Sequence, residues 1–243
     1  MDARTDKLKR LARFAGEALA ETLWPTRCAI CDVPGAVLCD RCAANLPYLD
    51  WWKACPRCGS PFGLVQCDSC NPVTLGRVGR AELPFAGCAS ATVFGEQAGR
   101  LVRVYKDQGE RRLARDLACC MVRMVAPDWR YDAVTFVPAT RNAMGVRGFD
   151  HAELLAREVA AALQVECIAT LARPKTHDQR ALGGRDRIAN LASSFQTLDG
   201  RAAGSRLILV DDVYTTGATL CAAADALLAS GADAVYALTF ARV

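Results

Sequence analysis

From about residue 84 onward, apolar segments typical of β-strands alternate with amphipathic segments typical of helices. The predicted strands lie at 88–94, 132–137, 165–169, 206–210 and 234–240, and the predicted helices lie at 97–107, 110–125, 151–163 and 219–229. Strands that alternate with helices build parallel sheets whose faces are covered by those helices. The pattern therefore predicts a doubly wound α/β domain over residues 84–243.

Two segments follow other patterns. Residues 7–23 carry one apolar helical face with basic residues near its start, and Pro25 ends this predicted N-terminal helix, which occupies residues 1–24. A basic amphipathic helix can lie on an anionic membrane, but packing on its own protein is the simpler interpretation. The polar stretch 172–190, with two glycines at its centre, predicts a mobile loop.

Residues 25–75 hold eight cysteines with little hydrophobic periodicity, as is typical of a module held together by metal. They form four C-x2-C pairs: Cys28 with Cys31, Cys39 with Cys42, Cys55 with Cys58, and Cys67 with Cys70. Two such turns complete a tetrahedral shell of four thiolates, which suits Zn²⁺. Sequential grouping closes shorter loops than interleaved grouping. We therefore predict two structural zinc ions, with iron as the alternative.

Residues 207–220, LILVDDVYTTGATL, combine an apolar strand, two adjacent acids and a turn of small residues before a helix. At the end of a strand, Asp211 and Asp212 can accept hydrogen bonds from the paired hydroxyls of a ribose. The turn offers backbone N–H groups and a helix N-terminus to a 5′-phosphate. A helix cap that binds no anion uses similar residues. The prediction of a ribose-phosphate site therefore depends on the strand, the two acids and the turn occurring together. The residues of the turn are Thr215, Thr216, Gly217, Ala218 and Thr219.

This segment resembles the PRPP-binding signature of type I phosphoribosyltransferases, and the chain resembles the ComF family of competence-associated proteins. RGFDHAELLA, from Arg147, is similar to the family's stretch after its pyrophosphate loop, with Asp150 where Asn is expected. Lys106 matches a basic position early in the family's domain. The pyrophosphate loop would be Val137, Pro138, Ala139, Thr140 and Arg141. Residues 172–190 resemble the family's flexible segment, with Arg173, Gln179 and Arg187 in the expected order.

The resemblance implies a type I phosphoribosyltransferase-like domain, preceded by a double zinc ribbon, that binds PRPP together with Mg²⁺. If the protein is an enzyme, the implied reaction transfers the phosphoribosyl group to a nitrogen nucleophile. The sequence names neither the acceptor base nor a catalytic residue. Separate cores are expected for the zinc module and the α/β domain, so that PRPP binding would survive the loss of the module.

Two further functions stay open at this point. One is a PRPP or nucleotide sensor without catalysis. The other is a part in DNA uptake, since the resemblance implies natural transformation, with the zinc ribbon and a basic face contacting single-stranded DNA or a helicase partner. Nucleotide salvage is the corresponding role for an enzyme. The residues of the basic face would be Arg100, Arg103, Lys106, Arg111, Arg112 and Arg115.

Composition places few further limits on function. The net charge of +4 is too mild to identify a polyanionic partner. Thirteen cysteines without an apolar leader indicate reduced thiols, and no stretch approaches the roughly 18 apolar residues that span a bilayer. We expect a cytoplasmic protein, with the inner face of the membrane as the alternative. The other five cysteines are predicted to be core residues: Cys88, Cys119, Cys120, Cys167 and Cys221.

Overall fold

The computed structural model of the chain describes residues 25–173, 195–198 and 200–243. The chain forms two compact units, residues 1–45 and 46–243. The predicted helix at 7–23 and most of the predicted loop at 172–190, including Gln179 and Arg187, lie outside the described residues. The domain boundaries predicted from the sequence, at 1–24, 25–75 and 84–243, stay a prediction.

The described part of the first unit is built around cysteine turns. The N–H of Cys28 donates to the carbonyl of Val33, and a bridge joins Arg27 to Pro34. Helix α1, Asp40–Ala44, follows the third cysteine of this unit. Cys28, Leu38 and Cys42 are buried in the described part of this unit.

The second unit contains a five-stranded parallel sheet, which confirms the predicted α/β architecture. The strands in sheet order are β1 (Gly87–Val93), β7 (Ala234–Arg242), β6 (Arg206–Tyr214), β2 (Ala133–Phe136) and β3 (Glu166–Cys167). A separate antiparallel pair is formed by β4 (Leu171–Ala172) and β5 (Gln196–Thr197). Because all five strands of the main sheet are parallel, the loops that follow them leave from one edge.

Helices pack on both faces of the sheet. The helices described in this unit are α2 Pro72–Arg77, α3 Glu96–Lys106, α4 Leu113–Val122, α5 Arg141–Arg147, α6 His151–Leu163 and α7 Ala218–Ala229. Helix α7 packs with Leu207 and Leu209 of β6, whereas Ile208 and Val210 are buried on the opposite face. Helices α4 and α6 pack on each other and on the strands. Among the described residues, no helix is long and apolar enough to cross a membrane.

The sequence patterns did not indicate α1, α2, β4 or β5. Two further departures from the predicted elements lie near the candidate site. Strand β6 continues through Asp211 and Asp212 to Tyr214 instead of ending at residue 210, because β7 pairs with it as far as Arg242. Helix α5, which the sequence patterns did not indicate, follows the predicted pyrophosphate loop. Of the five cysteines predicted as core, three are buried (Cys88, Cys120 and Cys221), whereas Cys119 is exposed and Cys167 is half-buried.

Candidate functional site

The predicted phosphate turn lies between β6 and α7, and Gly217 is its pivot. Gly217 caps α7 with φ +74°, a left-handed conformation that favours glycine. A Cβ at this position would overlap the hydroxyl of Tyr214. Thr215 and Thr216 are exposed. Both the positive φ and the contact with Tyr214 therefore require glycine at this position. The turn lies at the N-terminus of a 12-residue helix, where an anion would be favoured.

The two predicted ribose-binding acids differ in their surroundings. Asp212 is buried, its Oδ2 lies 2.6 Å from Nζ of Lys106, and Nε2 of His151 is 3.7 Å from the same oxygen. Asp211 is half-buried, and its Oδ1 accepts a hydrogen bond of 2.9 Å from the N–H of Asp212. The pair thus offers one carboxylate with a cationic partner, Asp212, and a second carboxylate, Asp211, that accepts from the backbone.

The pKa values of this cluster follow from burial and from the lysine. Burial is the largest influence on the pKa of Asp212 and would raise it, but the charges of Lys106 and His151 together with side-chain hydrogen bonds outweigh burial and lower the pKa. Burial, followed by the charge of Asp212, raises the pKa of Asp211 well above its usual value. Burial lowers the pKa of His151, although the carboxylate of Asp212 opposes this shift. Near neutral pH the cluster therefore centres on an ionised Asp212 beside a neutral imidazole.

The predicted diphosphate loop leaves the same edge of the sheet, because β2 is the parallel neighbour of β6. Asp150 joins this loop to α6, since its Oδ2 accepts from the N–H of Ala139 at 2.8 Å and its Oδ1 accepts from the N–H of Ala152 at 2.9 Å. The second bond confirms Asp150 as the N-cap of α6. Nε of Arg173 donates to the carbonyl of Pro138 at 2.7 Å.

The predicted site residues fall into three groups. The acids, the turn at 215–219 and the loop at 137–141 share one edge of the sheet, with Arg173 interacting electrostatically with Asp211 and Asp150. Arg147 is linked to the acids through His151, because its guanidinium lies 3.4 Å from Nδ1 of His151, whose Nε2 is 3.7 Å from Asp212. Gln179 and Arg187 lie outside the described residues. That these residues bind PRPP stays a prediction.

Sequence reasoning missed the cluster of Lys106, His151 and Asp212. One member of the cluster could have been found from the sequence, because Lys106 matches a basic position of the ComF family. Nothing in the sequence linked His151 to the acids. The side chains of His151, Asp211 and Asp212 place potential metal-ligating atoms within 4.8 Å of one another. In the structure, however, the cation beside Asp212 is the ammonium group of Lys106.

The eight module cysteines form two groups of four, as the sequential grouping predicted. Within each group the sulfur atoms lie within 4.8 Å of one another. The Sγ–Sγ distance is 3.7 Å for Cys31 and Cys39, 3.6 Å for Cys55 and Cys70, and 3.5 Å for Cys58 and Cys67. Zinc–sulfur bonds of about 2.3 Å in a tetrahedron place sulfur atoms about 3.8 Å apart. Both donor sets therefore fit zinc in type, number and spacing.

One thiol in each group ionises readily. Burial raises the pKa of Cys28, but hydrogen bonds from the backbone of Cys39, Cys31 and Ile30 outweigh it and bring the pKa to about 6. In the other group, burial again raises the pKa of Cys67, and hydrogen bonds led by the backbone of Ser69 lower it to about 7. Because the thiolate is the metal ligand, each group has a first ligand ready near neutral pH.

The fold and these sites define an α/β protein with a glycine turn at the start of α7 and two four-cysteine centres. No protein-family model matches the chain. It is 27% identical over 230 residues to the DNA utilization protein YhgH of Salmonella typhi, covering 90% of this chain and 97% of that protein. It is 29% identical over 222 residues to the competence protein ComFC of Bacillus subtilis, covering 86% and 85%. These relatives, matched over most of both chains, confirm the resemblance to the ComF family.

Other likenesses are shorter or weaker. A ribose-phosphate pyrophosphokinase of Mesorhizobium japonicum is 49% identical over 45 residues, which is 18% of this chain and 14% of that protein. Among solved structures, adenine phosphoribosyltransferase of Saccharomyces cerevisiae has a TM-score of 0.37 and 16% identity, covering 62% of this chain and 76% of that one. Orotate phosphoribosyltransferase of Aeropyrum pernix has a TM-score of 0.34 and 19% identity, covering 58% and 76%. The fold described above rests on the strand order and register of this chain itself.

Proposed function

We propose that the second unit binds PRPP, with Mg²⁺ on its diphosphate, at the carboxyl edge of the sheet, and that the protein acts in DNA utilization. The observation that carries the proposal is the continuous path from Asp211 and Asp212 through Tyr214 to the Gly217 turn at the start of α7. The names of the relatives, competence protein and DNA utilization protein, support the biological role.

Each part of the edge has a separate task in this proposal. The turn at 215–219 receives the 5′-phosphate, where backbone N–H groups and the helix dipole favour an anion. Asp211 and Asp212 accept hydrogen bonds from the ribose hydroxyls. The loop at 137–141 receives the diphosphate, with Arg173 at its base. Bound Mg²⁺ would neutralise part of the diphosphate charge.

A PRPP-binding protein of this kind is either an enzyme that transfers the phosphoribosyl group or a sensor that does not. Transfer to a nitrogen nucleophile passes through an oxocarbenium-like ribose cation, which the ionised Asp212 would stabilise electrostatically. A sensor would use the same contacts without an acceptor. Titration of Mg²⁺ and PRPP into the zinc-loaded protein tests binding, and assay of diphosphate release with a panel of nitrogenous bases separates the enzyme from the sensor.

A groove near the start of β1 and β7 supports a second function, contact with single-stranded DNA. The side chains of Trp51 and Trp52 are 67% and 53% exposed, and with Trp129 and Arg123 they line a cavity of about 750 Å³. Exposed aromatic rings beside a cation suit stacked bases and the phosphate backbone. This groove lies at the strand ends opposite to the proposed PRPP site, so both ligands can bind together.

The basic face predicted from the sequence is smaller than its six members suggested. Lys106 pairs with Asp212, Arg111 lies over the ring of Phe149, and Arg112 pairs with Glu110. The other three members, Arg100, Arg103 and Arg115, are exposed on α3 and α4. Arg111 and Arg112 are exposed too, but each is engaged by a neighbouring side chain. The groove is therefore the better candidate for DNA contact.

Replacing both Trp51 and Trp52 with alanine should weaken binding of a labelled oligo-dT, measured by fluorescence anisotropy at fixed salt. Each lost stacking contact is worth about 1–3 kcal/mol. Phe62→Ala is the matched control, since Phe62 is an exposed aromatic of the same region that is absent from the lining of the groove. Equal affinity in the double variant and the control would exclude the groove.

A further inference from the structure

The second cysteine centre is packed into the sheet domain. Cys55, Cys58 and Cys70 form a small buried cluster with Leu83, and Leu83 also packs against the main apolar core. The turn that carries Cys58 lies close to β1, since a Cβ on Gly59 would come within 3.0 Å of the carbonyl oxygen of Cys88. For the second centre, this packing contradicts the prediction of separate cores. We therefore expect PRPP binding to depend on this centre.

Arg242, near the end of β7, connects this centre to the proposed phosphate site. Its side chain is buried, and Nη1 donates to the carbonyl of Cys58 at 2.7 Å while Nη2 lies 3.7 Å from the sulfur of the same residue. The guanidinium carbon lies 3.9 Å from the ring centre of Tyr214, its partner in the pairing of β6 with β7. One buried cation therefore contacts a metal-ligand residue on one side and a tyrosine ring on the other.

Tyr214 continues the connection to the phosphate turn. It is buried at the end of β6, and its hydroxyl occupies the space that a Cβ on Gly217 would need. Because the ring packs directly against Gly217, a shift of the tyrosine ring changes the packing under Gly217 and the first turn of α7.

A second link reaches the same helix. Nη2 of Arg80 lies 2.8 Å and 2.7 Å from the two carboxylate oxygens of Asp225 on α7. Arg80 follows helix α2, which begins two residues after Cys70. The segment that carries the last cysteine of the centre is thus anchored to the helix whose N-terminus forms the phosphate turn.

We propose that Arg242 is a positioning residue that couples occupancy of the second cysteine centre to the anion affinity of the Gly217 turn. The inference rests on the proposed binding of PRPP at that turn. With the metal bound, the Cys58 turn is fixed and Arg242 keeps its acceptor and its stack on Tyr214. Without the metal, a buried guanidinium loses its carbonyl acceptor, which is costly, and the side chain and the ring beneath it rearrange.

The first test measures PRPP affinity by calorimetry in full-length, zinc-loaded variants. Arg242→Lys keeps the charge but loses the planar stack and the forked donors, and Arg242→Met removes the charge as well. Both should bind Mg²⁺–PRPP ~10-fold more weakly, within the usual range of coupling between sites. Arg206→Met is the matched control, because it breaks an arginine–carboxylate pair with Asp132 at the other end of β6. The control should keep the affinity of the unmodified protein.

The second test uses the reciprocity of coupled binding in the unmodified protein. If zinc in the second centre raises PRPP affinity, PRPP must raise zinc affinity there by the same factor. Equilibrium competition with a chelator should show one zinc bound ~10-fold more tightly when PRPP is saturating. The zinc of the first centre serves as the internal reference. In Arg242→Lys the effect of PRPP on zinc should disappear, which a purely structural role of the arginine would not produce.

The outcomes separate this inference from the proposed function. Absence of PRPP binding to the unmodified, zinc-loaded protein would overturn the proposed function. If PRPP binds normally but does not change the affinity for zinc, only the proposed coupling is overturned. The chelator measurement needs no substitution, so the inference stays testable even if Arg242→Met fails to fold.

Discussion

Nζ of Lys106 lies 2.6 Å from Oδ2 of Asp212, so the buried member of the acid pair has a cationic partner within the protein. The neighbouring acid, Asp211, is half-buried and has a raised pKa. Two adjacent carboxylates of one motif therefore have different roles in the unliganded protein. Asp212 is part of a buried ion pair, whereas Asp211 is an acid held in an unfavourable environment.

The first prediction concerns the stability of the unliganded protein. Asp212→Asn leaves Lys106 without its charge partner and should lower the free energy of unfolding by about 2 kcal/mol, less than for a fully buried pair because the lysine side chain is 28% exposed. Asp211→Asn should leave the unliganded melting temperature unchanged or raise it. Both variants should reduce the gain in melting temperature on adding Mg²⁺–PRPP, measured by calorimetry. An unchanged gain in both variants would show that the acids do not contact the ligand.

The second prediction concerns pH. The pKa of Asp211 is raised in the folded state, so its ionised form destabilises the protein above that pKa. As pH falls through the folded pKa toward the unfolded value of about 4, this cost is removed. Asp212, with a lowered pKa, contributes stability above the unfolded value and loses it only as pH falls through its folded pKa. The stability difference between Asp211→Asn and the unmodified protein should therefore shrink on acidification from pH 8 to 5, in denaturant titrations. A constant difference contradicts the assignment.

The third prediction concerns metal content. Purified protein should carry about two zinc ions, because each group of four thiols completes one shell. Replacing Cys31 and Cys39 with serine should reduce this to about one, as measured by elemental analysis. Near-zero zinc together with disulfides in mass spectra would contradict the assignment for both centres.

The fourth prediction concerns Gly217. Gly217→Ala places a Cβ at φ +74° and against the phenol ring of Tyr214, so it should both destabilise the protein and abolish the PRPP-dependent gain in melting temperature. Gly204→Ala is the control, because Gly204 has φ +68° with nothing within 4 Å of the added carbon. It should cost only the backbone strain, about 1 kcal/mol. Similar losses of stability in the two variants would show that contact with Tyr214 is unimportant.

Local patterns determined much of this protein. The alternation of apolar strands with amphipathic helices predicted the parallel sheet, and helix α6 begins and ends at the predicted residues. The spacing of the cysteines predicted the grouping of four with four that the structure shows. These features depend on residues close in sequence, where periodicity and turn geometry leave few alternatives.

Tertiary structure alone decided the surroundings of the candidate site. Lys106 meets Asp212 across 106 positions of sequence, and Arg242 meets Cys58 across 184. No periodicity in the sequence predicts either contact. The partners are brought together by the order of strands in the sheet and by the packing of α3 and the cysteine turn against the sheet. The same pairing of β6 with β7 extended the strand through both acids. The sequence therefore indicated the acids, the turn and the cysteines, while the fold determined which acid carries an ion pair and how the second cysteine centre is linked to the Gly217 turn.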